Sequence, residues 1–151
     1  SAISDPSRVG DINFVDNISI QGWLMHFGLK GTALKLGFYA LAMGAVERST
    51  LPDALKPRRR PDPCPILLLA RLAVDQRAQG RGIGSALFKD ALLRAYKLSN
   101  DVGFAALLVH CADDRARSFY LGQSSHFVPC PGTDSHLVLP LRALREFIER
   151  L

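Results

Sequence analysis

The sequence predicts an α/β fold. Leu67 to Val74 is an almost continuous apolar run of strand length, and Phe104 to Cys111 is a second such run, as expected for strands covered on both faces. Between the two runs lie a glycine-rich turn (79–84) and a long amphipathic segment. A length of 151 residues with 48% hydrophobic residues fits one core and therefore a single domain over residues 1–151.

The amphipathic segment after the glycine-rich turn predicts a helix, because its apolar residues recur at helical spacing. We expect its buried face to hold Leu87, Phe88, Ala91, Leu92, Ala95 and Leu98, and its solvent face to hold Lys89, Asp90, Arg94 and Lys97.

The other elements follow from the same reasoning. Asp113 and Asp114 predict the start of a short helix through Tyr120, since acidic residues cap a helix and favour its first turn. Periodicity and apolar runs predict a helix over 18–29, a strand over 34–46, a loop over 47–65, short strands near 126–128 and 136–139, and a final helix marked by Leu141, Leu144, Ile148 and Leu151.

Composition narrows the class of protein. No apolar run approaches the roughly 20 residues that span a bilayer, and the N-terminus has no signal-peptide pattern, so no membrane association is expected. The three cysteines, Cys64, Cys111 and Cys130, are widely spaced and odd in number, which argues against a disulfide framework and a zinc site. We therefore expect a cytoplasmic protein with no metal.

The charge balance favours a polyanionic partner. Nineteen Lys and Arg against fourteen Asp and Glu give a net charge of +5, and Arg58, Arg59 and Arg60 form a run between prolines. Such a run is either a solvated loop or a contact for a polyanion such as RNA.

The spacing of the glycine-rich turn decides which phosphate it suits. A nucleoside-triphosphate loop requires Lys after its last glycine, whereas Gly84 is followed by Ser85. A dinucleotide loop requires G-x-G-x-x-G, which Gly80, Gly82 and Gly84 do not satisfy. The spacing that fits is Q/R-x-x-G-x-G/A, supplied by Gln79, Gly82 and Gly84.

That pattern resembles the pyrophosphate loop of the GCN5-related N-acetyltransferase (GNAT) superfamily. The resemblance, carried by residues 70–95 (ARLAVDQRAQGRGIGSALFKDALLRA), implies a mixed central sheet, splayed at an acetyl-CoA site and flanked by helices on both faces. It implies that the pantetheine arm of CoA pairs with backbone groups in the second half of the strand that precedes the turn. It also implies that the backbone amides of residues 81–85 bind the pyrophosphate. The implied cofactor-binding residues are Leu72, Ala73, Val74, Gln79, Gly80, Arg81, Gly82, Ile83, Gly84 and Ser85. Arg77 and Arg81 either reach the adenosine phosphate or remain solvated.

Further segments are similar to the acetyltransferase toxins of bacterial toxin–antitoxin pairs. They are 37–48 (GFYALAMGAVER), 70–95, 104–110 (FAALLVH) and 117–120 (RSFY). The similarity implies transfer of acetyl from acetyl-CoA to the α-amine of an aminoacyl-tRNA. Their charge makes Arg58, Arg59 and Arg60 the expected contacts for such a tRNA. The similarity also implies a homodimer neutralised by a ribbon-helix-helix antitoxin.

In this similarity Tyr120 matches the catalytic tyrosine, which would protonate the CoA thiolate. Packing against the sheet is the alternative for Tyr120 and the favoured interpretation of Phe119. His110 either relays a proton or has a hydrogen-bonded structural role, and the structural role is favoured. Cys111 near a thioester could act covalently, but an inert buried thiol is favoured. Glu47 could be a base, but positioning or an ion pair with Arg48 is favoured.

Two segments depart from the family pattern: the connection from Lys30 to Gly37 is short, and Leu121 to Ser125 intervene before His126 and Phe127. Two other functions therefore stay open. One is an N-acetyltransferase for a small amine or a protein; the other is a CoA-binding or antitoxin-binding module without catalysis.

Overall fold

A computed structural model of the chain describes residues 37–56 and 61–150. The chain divides into two compact units. The described part of the first unit is 37–40 and 71–91, and that of the second is 41–56, 61–70 and 92–150. The expectation of a single domain stays a prediction.

Five strands and three helices make up the regular structure of the described residues. The strands are β1 (Gly37–Val46), β2 (Cys64–Val74), β3 (Ala106–His110), β4 (Val128–Pro129) and β5 (His136–Pro140), and the helices are α1 (Ile83–Leu98), α2 (Asp114–Gln123) and α3 (Leu141–Glu149). Short 3-10 turns lie at Arg48–Thr50, Asp53–Leu55 and Gln76–Ala78.

The strands form one mixed sheet in the order β1-β2-β3-β5-β4. β2 and β3 are parallel, with Leu67 opposite Leu107, and the long crossover that parallel strands need contains α1. β3 and β5 are antiparallel, and so are β4 and β5. The mixed α/β sheet predicted from the sequence is confirmed. Its splaying at a cofactor site stays a prediction.

The core of the second unit forms where β2, β3 and β5 meet the two 3-10 turns before β2. Its buried members are Leu51, Leu55, Cys64, Ile66, Ala105, Ala106, Leu108, Cys130 and Val138. The run from Phe104 to Val109 is buried at every position, which confirms that this strand is covered on both faces.

In the first unit, β1 and α1 supply the buried side chains. Phe38 and Tyr39 of β1 are inaccessible to solvent, and Phe88 of α1 is equally inaccessible. The Tyr39 hydroxyl donates a hydrogen bond to the Asp90 carboxylate. This bond satisfies a polar group that burial would otherwise leave without a partner.

The predicted faces of α1 need correction at three positions. Leu98 was expected in the core but is 37% exposed, because it is the last residue of the helix. Asp90 and Arg94 were expected in solvent but are half-buried, in the case of Asp90 because Tyr39 hydrogen-bonds to it. Lys89 and Lys97 are exposed as predicted.

Several boundaries also differ. β2 begins at Cys64, inside the stretch predicted as a loop, and its last five residues are only half-buried. β4 lies at Val128–Pro129, slightly after its predicted position. α2 continues three residues past Tyr120, so part of the insertion seen in the sequence simply extends this helix. The helix predicted over 18–29, the start of the strand predicted over 34–46 and the short connection after Lys30 lie outside the described residues.

Candidate active site

The end of β2 is held by a buried carboxylate that the sequence analysis missed. Asp75 directly follows the strand and is 4% exposed. Its Oδ1 accepts hydrogen bonds from the Arg77 backbone N–H (2.9 Å) and Nε (3.2 Å), and its Oδ2 from Arg77 Nη2 (3.0 Å). Because a buried charge needs hydrogen-bonded partners, this pair fixes the turn after β2. Asp in the first position before a helical turn is the local signal for such a cap.

The Arg77 side chain itself remains 69% exposed despite this contact. Asp75 engages two of its guanidinium nitrogens, and a guanidinium has five N–H donors in all. The arginine is therefore oriented by Asp75 and still presents donors to solvent.

The turn itself requires glycine for conformational reasons. Gly80 and Gly82 have φ of +82° and +77°, values in the left-handed region that cost other residues roughly 1–2 kcal/mol. An added Cβ would meet no atom within 4 Å at either position. Space is therefore open on the outer side of the turn, and backbone conformation alone accounts for the two glycines.

Helix α1 begins directly after this turn. Its first hydrogen bond runs from Ala86 N to Gly82 O at 3.0 Å, and helix geometry leaves the amides of Ile83 and Gly84 without a partner one turn earlier in the helix. These amides lie at the positive end of the helix dipole. Gln79 Nε2 donates to Val74 O at 3.4 Å, so the turn also contacts the end of β2. The arrangement suits an anion such as a pyrophosphate.

Gly37 sets the distance between β1 and the end of β2. A Cβ at this position would lie 2.7 Å from the Ala73 carbonyl oxygen and 2.9 Å from Leu87 Cδ1. Only glycine permits this approach. The sequence offered no signal for the contact, because residues 37 and 73 are far apart in the chain.

All ten predicted cofactor-binding residues, from Leu72 to Ser85, belong to the first unit. Leu72, Ala73 and Val74 form the end of β2 and are half-buried, whereas Gln79, Gly80, Arg81 and Gly82 are exposed, and Ile83, Gly84 and Ser85 open α1. The paired register of β2 with β3 covers Leu67 to Leu69. Within the described residues, β2 therefore continues past the last residue that is paired with β3.

Tyr120 lies in the second unit, on the last part of α2. This helix is capped as predicted, since the Asp113 carboxylate accepts from the Ala116 N–H at 2.8 Å. The ring of Tyr120 is 6% exposed and contacts Phe119 and Phe127, at centroid distances of 5.3 and 6.1 Å. Burial raises the pKa of Tyr120, and the nearby Cys111 thiol raises it further. The phenol is therefore protonated at neutral pH.

The sequence analysis also singled out Cys111, His110 and the pair of Glu47 and Arg48. Cys111 is buried, and this burial raises the pKa of its thiol, as expected for an inert cysteine. His110 was predicted at the end of a buried strand; it ends β3 as predicted but is exposed. Arg48 donates from Nη2 to the Lys56 carbonyl (2.8 Å) rather than to the Glu47 carboxylate.

Arg58, Arg59 and Arg60, the predicted tRNA contacts, lie outside the described residues. Within 37–56 and 61–150, no cluster of three or more His, Cys, Asp or Glu side chains is arranged to hold a metal ion. In the same residues, no helix has the length and apolar character needed to cross a bilayer.

A mixed sheet with a glycine turn between a strand and the start of a long helix is typical of enzymes that hold the pyrophosphate of a CoA thioester. The model of the Acetyltransferase (GNAT) family matches residues 57–123. The tRNA-acetylating toxin of Mycobacterium tuberculosis (strain ATCC 25618 / H37Rv) is 42% identical over 166 aligned positions, which cover 98% of each chain. The chain belongs to the GNAT family of acetyltransferases.

Two solved structures extend this similarity. AtaT complexed with acetyl-methionyl-tRNAfMet has a TM-score of 0.65 and 30% identity, and AtaTR bound with AcCoA has a TM-score of 0.62 and 30% identity. Each alignment covers 75% of this chain and 66% of the other. The resemblance to GNAT toxins seen in the sequence is confirmed.

Proposed function

We propose that this protein transfers acetyl from acetyl-CoA to the α-amine of an aminoacyl-tRNA and so blocks translation. The observation that carries the proposal is the 42% identity to a tRNA-acetylating toxin across 98% of both chains. An AtaT structure that contains acetyl-methionyl-tRNA and an AtaTR structure that contains AcCoA support the same acceptor and donor.

The glycine turn supports the donor half of the proposal. The amides at the start of α1 would hold the pyrophosphate. In the preceding turn, a Cβ added at Gly80 or Gly82 would meet no atom within 4 Å. Arg77, whose guanidinium is oriented by Asp75, and the exposed Arg81 lie in the same unit as this turn, and they would bind the adenosine phosphate. Backbone groups of Leu72 and Val74 would pair with the pantetheine arm like an added strand.

The chemistry proposed is direct transfer. An α-amine has an ordinary pKa of about 7.7–8.0, so part of it is neutral and nucleophilic near pH 7 without a strong base. It attacks the thioester carbonyl carbon, the N–C bond forms, and the C–S bond breaks as a proton leaves the amine to water. A backbone amide of Leu72 to Val74 would donate to the developing oxyanion.

Tyr120 would supply the proton that the leaving thiolate takes up. The raised pKa of its phenol keeps the acid form populated. The same shift makes Tyr120 a weaker acid than a thiol, so its proton moves only as the C–S bond breaks and is then regained from solvent.

We further propose the biological setting implied by the family. The protein would act in the cytoplasm as a homodimer neutralised by a ribbon-helix-helix antitoxin. A structure of an AtaT mutant bound to the C-terminus of the antitoxin AtaR supports an antitoxin partner. Arg58, Arg59 and Arg60 would contact the tRNA.

The test is transfer of radiolabelled acetyl from acetyl-CoA to total aminoacylated tRNA, with deacylated tRNA as the control. We expect label on charged tRNA alone, because only the charged form carries an α-amine. No label on charged tRNA, with CoA binding confirmed in parallel, would refute the proposal and leave a small-amine enzyme or a binding module.

A further inference from the structure

Two histidines outside the proposed catalytic machinery face each other at the ends of adjacent strands. His110 ends β3, His136 begins β5, and the antiparallel register places them directly opposite. The next pair is hydrogen-bonded, since the Cys111 N–H donates to the Ser135 carbonyl at 2.6 Å. The histidines therefore occupy a non-hydrogen-bonded pair, the position at which cross-strand side chains come closest.

The two rings form a hydrogen bond through one nitrogen of each. His110 Nδ1 and His136 Nε2 are 3.2 Å apart, and the rings are tilted by 53° with centroids 5.0 Å apart. Two imidazoles that bind one tetrahedral metal ion at about 2.0–2.1 Å have nitrogens separated by about 3.3 Å. The observed separation is therefore close to that of two ligands of one ion, and a turn of both rings away from their mutual hydrogen bond would direct the two nitrogens at the ion.

The backbone around the pair is held in place. The Arg117 guanidinium donates to the Asp134 carbonyl at 2.6 Å, and the hydroxyls of Thr133 and Ser135 share a hydrogen bond of 2.9 Å. The His136 carbonyl accepts from the N–H of Cys130, the residue that follows β4. These contacts fix the segment that leads into β5. Binding of a ligand to the pair would therefore cost little conformational entropy of the backbone.

Both rings are at least partly accessible to solvent. His110 is exposed and His136 is half-buried. Burial lowers the pKa of His136, and the proximity of His110 lowers it further. Neutral imidazole is the form of histidine that binds metals.

We propose that His110 and His136 form a surface site for a divalent transition-metal ion of the class that prefers imidazole, such as Zn²⁺ or Ni²⁺. Water completes the coordination, because no group of three or more ligating side chains is present among the described residues. Each ring keeps one N–H on its other nitrogen, and any proton held between the rings is released to solvent. The hard ion Mg²⁺, which prefers oxygen ligands, is excluded.

The experiment is titration of the protein with Zn²⁺ and with Ni²⁺ by calorimetry at pH 7.5, followed by the same titration of His110→Gln and His136→Gln. We expect saturable binding of one ion, and at least a tenfold loss of affinity in each variant. His126→Gln is the matched control, since His126 is exposed on a different segment. Its affinity is expected to equal that of the unchanged protein, and Mg²⁺ is expected to give no saturable signal.

Two further readouts separate this site from others. The ring-nitrogen NMR signals of His110 and His136 are expected to shift together on addition of Zn²⁺, and affinity to fall from pH 7.5 to pH 5.5 as protons compete for the rings. Melting curves without metal check that each variant is folded. Undiminished affinity in either variant, as cysteine ligation would produce, or the absence of saturable binding in the unchanged protein would overturn the proposal.

Discussion

At the scale of single residues, burial gives two polar side chains very different roles. Asp75 is 4% exposed and accepts three hydrogen bonds from Arg77. Tyr120 is 6% exposed among aromatic rings and remains a neutral phenol. The first side chain organises a turn, and the second is suited to donate a proton.

Replacing Tyr120 with Phe tests that second role. We expect acetyl transfer to aminoacyl-tRNA to fall by about 10²- to 10⁴-fold, the usual contribution of a general acid. The affinity for CoA is expected to be unchanged, because the ring still fills its place between Phe119 and Phe127. Single-turnover rates measure the first quantity and calorimetry the second.

Phe119→Leu is the control for packing, since Phe119 contacts the same ring and has no proton to give. It is expected to alter the melting temperature more than the rate of transfer. Full turnover by Tyr120→Phe would remove Tyr120 from the mechanism.

At the scale of elements, close backbone approach and unusual backbone angles account for different glycines. Gly80 and Gly82 adopt positive φ with open space around them, whereas Gly37 lies where β1 approaches Ala73 of β2. The turn glycines therefore shape the start of α1, and Gly37 sets the spacing of two strands.

Gly37→Ala should therefore destabilise the protein. A Cβ 2.7 Å from a carbonyl oxygen cannot be relieved by rotating a side chain, and overpacking of this kind costs typically 1–3 kcal/mol. We expect the free energy of unfolding to fall by about this amount in urea titrations. Gly44→Ala in the same strand is the matched control, because its Cβ would contact only a side-chain atom of Ile66, at 3.4 Å. Equal effects of the two substitutions would contradict the explanation.

At the scale of the whole molecule, net charge is the property that bears on which class of acceptor the protein binds. Fourteen of nineteen cationic side chains are arginine, and the net charge is +5. Arginine binds phosphates bidentately, and contacts with nucleic-acid phosphates weaken as salt rises. A basic chain of this kind favours a polyanionic acceptor over a small neutral amine.

Replacing Arg58, Arg59 and Arg60 together with Ala tests whether these arginines contact the tRNA acceptor. We expect KM for aminoacyl-tRNA to rise and its dependence on salt to become shallower, since each lost phosphate contact reduces the slope of log affinity against log salt by about one. Initial rates over a range of salt concentrations measure both quantities.

The matched control removes the same charge elsewhere: Arg142, Arg145 and Arg150 are exposed arginines on or next to α3. If both triple variants change KM and its salt dependence equally, the effect is due to net charge, and the predicted contact of Arg58–Arg60 with tRNA is wrong.

Sequence periodicity predicted much of the fold correctly. The strand, turn and helix around residues 64–98, the buried strand ending at His110 and the cap at Asp113 are all present. The errors fall at the ends of elements: Leu98 is exposed because it is the last residue of α1, and β2 begins at Cys64. The local sequence pattern specifies the middle of a helix or strand more strongly than its ends. At the ends, contacts with neighbouring segments decide where the element stops and which residues are buried.

The amino-acid sequence by itself determined the family and the glycine turn that precedes α1, because both depend on patterns within short segments: the spacing of Gln79, Gly82 and Gly84 is local. Only the tertiary structure decided which distant residues meet. Tyr39 donates to Asp90 across 51 positions, and His110 faces His136 across 26. Such contacts follow from strand register and helix packing, which place residues together irrespective of their separation along the chain and leave no periodic signal in it.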